Sequence, residues 1–83
     1  MPIKQSESFK TADLALVAVL LLFIPDSLEV VDRGNPHKVL FCFGKSPDLD
    51  SLVKRYWSRE LQVEPQAFFN ELKQVKVRIY AED

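Results

Sequence analysis

Leu14-Ala15-Leu16-Val17-Ala18-Val19-Leu20-Leu21-Leu22-Phe23-Ile24 is an unbroken apolar run of eleven residues, and its reading decides the fold. As a helix it is roughly 16 Å long, about half the hydrocarbon thickness of a bilayer, so it cannot span one. Lys4 and Lys10 precede it as they would a secretory h-region, but Glu7 and Asp13 also flank it. Pro25-Asp26-Ser27 then stands where a small-residue cleavage site belongs. What remains is a helix buried inside a globular fold. Thr11 is placed to cap it, Asp13 suits the positive end of the helix dipole, and Pro25 ends it, which predicts a first helix over Thr11–Phe23.

Downstream, Leu28–Arg33 and Lys38–Phe43 read as two strands around a Gly34-Asn35-Pro36 turn, where Gly and Asn tolerate positive φ. Alternation puts Val39, Phe41 and Phe43 on one face of the second strand and Lys38, Leu40 and Cys42 on the other. Both faces are largely apolar, and a dimer mate could cover the outer one. The second helix has the clearest start. Ser46 caps it, Pro47 takes its first position, and Asp48 and Asp50 fill its first turn. Leu49, Leu52, Val53 and Tyr56 follow at helical spacing. After a connector over Ser58–Glu64, Pro65 opens a third helix with Phe68, Leu72, Val75 and Ile79 inward and Lys73 and Lys76 outside. The expected fold class is α+β: one α-β-β-α-α domain over residues 1–83, an antiparallel hairpin packed against three helices, with polar residues 1–8 fraying at the end.

A domain of 83 residues leaves much of its surface in water and is commonly supported by a disulfide, a metal or a partner. One cysteine, Cys42, allows no internal disulfide. With one histidine, His37, it falls short of a structural zinc site, so no metal or other cofactor is expected. Association is the device left, with a homodimer or another protein as the expected partner. A lone cysteine suits a reducing compartment, and the expected location is the cytoplasm, with no membrane role. The net charge of −1 and isoelectric point near 5.8 argue against a general nucleic-acid coat. The charge is uneven, however. Ser51–Ala81 carries six basic and three acidic residues, against five and seven in the first fifty.

Several runs together carry a resemblance: Ser8-Phe9-Lys10-Thr11-Ala12-Asp13-Leu14-Ala15-Leu16, Lys38–Phe43, Leu52-Val53-Lys54-Arg55-Tyr56-Trp57, Val63-Glu64-Pro65 and Lys76–Tyr80. The chain resembles a family of very small bacterial and phage proteins catalogued as a domain of unknown function, which open Phe-Lys-Thr-x-Asp-Leu-x-Leu. Phe23-Ile24-Pro25-Asp26 departs from that pattern, where the family often has a glycine at the helix end. The resemblance implies a compact fold of this order. Through members in phage or mobile-element settings, it also implies a possible link to nucleic acid. It implies no activity and no site.

Three surfaces are candidates. Lys10, Thr11 and Asp13 could receive an anion at a helix start, but Asp13 opposes an anion, and a capped helix with Phe9 stapled onto its first turns is the favoured reading. Lys54, Arg55 and Arg59, with Lys73 and Lys76 of the third helix, could meet phosphates while Tyr56 or Trp57 stacks on a base. The plainer reading makes both aromatics core and the cations a solvated face. The first helix has no polar face, so Leu16, Val19, Leu20 and Phe23 could be exposed for self-association; alternatively the helix lies centrally and the fold itself covers it. Cys42 reads as a small buried hydrophobe and His37 as a turn residue. Roughly 17 Å apart by strand rise, they cannot act as a nucleophilic pair. The expectation is a small non-enzymatic interaction protein that self-associates, with a nucleic-acid-binding accessory role as the alternative.

Overall fold

The computed structural model describes residues 8–35 and 37–80. The chain folds as an α+β unit in the order β1 (Ser8–Thr11), α1 (Leu14–Phe23), β2 (Leu28–Asn35), β3 (Lys38–Gly44), α2 (Pro47–Trp57) and α3 (Pro65–Tyr80), with one 3₁₀ turn at Pro25–Ser27. The sheet is antiparallel and ordered β1-β3-β2.

The first strand corrects the expected order. Ser8–Thr11 pairs with β3, setting Phe9 opposite Phe43 and Thr11 opposite Phe41. Phe9 therefore joins the inner face of the sheet and is no staple on the helix. Thr11 does not cap α1 either. Its Oγ1 accepts from the Asp13 N–H at 3.1 Å, and Asp13 is the cap, its Oδ1 accepting from Ala15 N–H at 3.1 Å and Leu16 N–H at 3.3 Å. An acidic cap with its oxygen committed to these donors leaves no anion site there. The expected fraying of residues 1–7 lies outside the described residues, while Ser8 opens β1.

The hairpin forms as expected, but β2 runs on to Asn35, which pairs with Lys38. Gly34 does not take a positive φ. Pro36 of the expected turn lies outside the described residues. Register shifts near Glu29 and Arg33 interrupt the β2 ladder, the kind of irregularity that blunts an edge strand.

Leu16 to Leu21 of α1 are all buried, with Leu16, Val17, Ala18 and Leu20 at 1% exposure or less. The helix is apolar all round because it is enclosed on all sides: it packs with Phe41 and Phe43 of the sheet, Leu49 and Leu52 of α2, and Val75 of α3 in one core. Leu16, Val19 and Leu20 therefore do not form a self-association surface. The fold covers them, and Phe23 alone of that set is exposed. On the sheet, Phe9, Leu28, Val31, Val39, Phe41 and Phe43 join this core, whereas Val30, Leu40 and Cys42 lie outside it. No helix among the described residues is long and apolar enough to cross a membrane.

Helix α2 starts as its sequence requires, with the Ser46 Oγ accepting from Leu49 N–H at 3.1 Å and Pro47 in the first turn. At its other end Ser58 is the C-cap, and Arg59 follows at φ 65°, the one positive φ at a non-glycine position among the described residues. The Glu60 N–H returns to the Arg55 carbonyl at 2.9 Å, closing the last turn. A side chain in the left-handed region costs about 1–2 kcal/mol, which glycine avoids. Arg59→Gly is accordingly expected to raise the urea-unfolding free energy by about 0.5–1 kcal/mol after glycine's extra unfolded-state entropy is counted. A loss of stability instead would mean that the Arg59 side chain contributes packing that outweighs its backbone strain.

Helix α3 begins at Pro65, where the Glu64 carboxylate accepts from Ala67 N–H at 2.7 Å. Phe68, Leu72, Val75 and Ile79 face the core as expected. Its last turn is held by Arg33 of β2, whose Nη1 donates to the Ile79 carbonyl at 3.0 Å and whose Nη2 donates to the Arg78 carbonyl. A guanidinium at the negative end of the helix satisfies carbonyls the helix leaves free.

Candidate interaction surfaces

The described part of β1 is an edge strand, and α2 lies beside it. Phe9 of β1, Lys45 after β3, and Asp50, Val53, Lys54 and Trp57 of α2 enclose a groove of about 410 Å³. Its apolar lining comes from Phe9, Val53 and Trp57. Its rim carries both signs of charge, from Lys45 and Lys54 against Asp50.

Trp57 was expected in the core, but it is 65% exposed. The apolar face of α2 runs through Leu49, Leu52 and Tyr56, and Trp57 sits one position past it, at the helix end over the groove. Its ring is nonetheless supported. Tyr56 packs against it edge-on, with centroids 5.0 Å apart and planes at 84°. The Tyr56 hydroxyl donates to Asp13 Oδ2 at 3.1 Å, so one carboxylate caps α1 and anchors the aromatic pair. Burial, then the hydrogen bond and the negative charge of Asp13, raise the Tyr56 pKa above its ordinary 10.0.

The five cations named as candidate nucleic-acid contacts line different hollows or lie on α3. Lys54 opens on the groove with Phe9. Arg55 opens on a hollow with Phe23, Ile24 and Asp48. Arg59 opens on a third hollow, with Val19, Leu61, Val63 and Phe68. Lys73 and Lys76 lie together on α3, and both are exposed. Cys42 is buried and His37 exposed, as the strand reading requires.

Sequence reasoning missed a second surface. Phe69, Val77 and Tyr80 are 62%, 57% and 79% exposed on α3. Their spacing interleaves with the inward stripe of the same helix, which carries the stronger periodic signal. The three share one helix with the core-facing stripe and lie outside the core.

These features define a class: a small α+β domain with a closed core, exposed aromatics, and no group of three or more metal-ligating side chains among the described residues. A family model described as a domain of unknown function (DUF5659) matches residues 6–81, and the chain belongs to that family. No curated protein and no solved structure matches it.

Proposed function

We propose that the chain is a small non-enzymatic interaction protein that self-associates across the β1–α2 face. One observation carries this reading: Trp57 stands largely exposed over an apolar groove that opens beside an edge strand. An edge strand offers unpaired backbone donors and acceptors to a second strand, and a flanking groove takes its side chains. A second copy suits the groove as occupant because its lining carries both signs of charge. Under a two-fold axis, Lys45 or Lys54 of one copy can meet Asp50 of the other while the two Trp57 rings bury apolar area. The nucleic-acid alternative draws less support, since Lys54, Arg55 and Arg59 open on three separate hollows. Asp48 and Asp50 serve the start of α2 and Cys42 is a buried thiol, so neither supports a catalytic role.

Trp57 is the sole tryptophan, so its fluorescence reports the groove directly. Sedimentation over rising concentration is expected to show a monomer–dimer equilibrium with a blue-shifted Trp57 emission in the dimer. Trp57→Glu is expected to hold the chain monomeric and to lower its folding stability by about 0.5–1.5 kcal/mol, the worth of the edge-on contact with Tyr56. A strict monomer at high concentration with constant emission would overturn the proposal.

A further inference from the structure

Helix α3 carries a second face with different chemistry. Phe69, Lys73, Lys76 and Tyr80 follow one another at i, i+4, i+7 and i+11, with Val77 alongside, and all five are exposed. By helix rise the stripe is roughly 16 Å long. The single acidic residue of the helix, Glu71, is half-buried off this face. The stripe takes no part in holding α3 to the fold, because Phe68, Leu72, Val75 and Ile79 already do so. Arg33 fixes the last turn, and with it the backbone that carries Tyr80.

We propose that this stripe docks an acidic amphipathic helix of a partner protein. Apolar side chains of that helix would cover Phe69, Val77 and Tyr80, and its flanking carboxylates would meet Lys73 and Lys76. Charge decides the occupant. A second copy of the chain would set lysines against lysines at the middle of the stripe, where like charges repel. Single-stranded nucleic acid would need a row of stacking rings in a basic channel. Val77 has no π face, the stripe is a convex ridge, and the chain as a whole is acidic. This inference goes beyond the self-association of the β1–α2 face and stands on separate residues.

The test uses the full chain and three probes: a designed amphipathic helix with leucines at i, i+3, i+4 and i+7 flanked by glutamates, the same peptide with lysines in place of the glutamates, and oligothymidine. Amide chemical shifts of the ¹⁵N-labelled protein locate binding. The glutamate peptide is expected to shift amides of α3 around residues 69–80 and leave the Trp57 emission unchanged. The double variant Lys73→Glu with Lys76→Glu is expected to weaken that peptide about tenfold or more and to gain affinity for the lysine peptide. Equal binding of both peptides, no binding of the glutamate peptide, or oligothymidine as the tighter ligand on α3 would each overturn the proposal. Because Trp57 reports the other face, failure here is distinguishable from failure of self-association.

Discussion

Leu20→Ala is expected to lower the unfolding free energy by about 2–5 kcal/mol, the range for emptying a leucine site in a close-packed core. Leu20 is fully buried in α1 and belongs to the core that Phe41 and Phe43 of the sheet, Leu49 and Leu52 of α2 and Val75 of α3 complete. With every side of the helix occupied, the cavity has little room to collapse. A domain of 83 residues holds about 4–12 kcal/mol in all, at roughly 0.05–0.15 kcal/mol per residue, so the loss is a large share of the total. Phe23→Ala on the same helix is the control: Phe23 is 47% exposed, and its loss is expected to cost less than about 1.5 kcal/mol, since half of its area already meets water. Urea unfolding of the two variants separates them. Equal, small losses would mean that α1 is not enclosed.

Asp13→Ala carries the second large effect, expected at about 1–3 kcal/mol from a lost N-cap together with a half-buried hydroxyl left without its charged acceptor. The same carboxylate receives the Ala15 and Leu16 N–H groups and the Tyr56 hydroxyl, so no single interaction is removed alone. Asp13→Asn separates the parts: it keeps a good cap but removes the charge. Its cost is expected to be about 1 kcal/mol or less, with the Tyr56 pKa falling part of the way back. The fall is partial because burial, the larger cause of the rise, is untouched. The pH dependence follows by linkage. Tyr56 has a folded-state pKa raised above its unfolded value of 10.0, so the neutral phenol is favoured on folding. That stabilisation is fully present below pH 10 and is lost as pH rises through the raised value. Phenolate absorbance in a Tyr80→Phe background is expected to show Tyr56 titrating late, and unfolding above pH 10 is expected to grow easier.

Much of this architecture was legible because local chemistry and tertiary packing agree. Ser46-Pro47 with Asp48 and Asp50 starts a helix in any context, and the spacing of Phe68, Leu72, Val75 and Ile79 allows one inward face. The apolar run of α1 was legible as buried, but not what buries it, because periodicity vanishes when every side is covered. Ser8–Thr11 was not legible as a strand. Four residues alternate too briefly to register, and their partner is β3, more than thirty residues away. The same nonlocality moved the cap from Thr11 to Asp13. Trp57 was misplaced because a helix end lets one residue step off the apolar face. The groove depends on Phe9 lying beside Trp57, a juxtaposition that only the strand order creates.

The strand order also sets a schedule for synthesis. β1 leaves the ribosome first but must wait for β3, and α1 must wait for α3, about fifty residues later. At translation rates of about 5–20 residues per second, that leaves the oiliest segment of the chain without its α3 cover for about 3–10 s. During that interval the nascent chain presents a sticky stretch to holdase chaperones and to neighbouring polysomes. Overexpressed chains are therefore expected to enter inclusion bodies more readily than the finished fold's acidic charge suggests, and slower translation of the last third should worsen this.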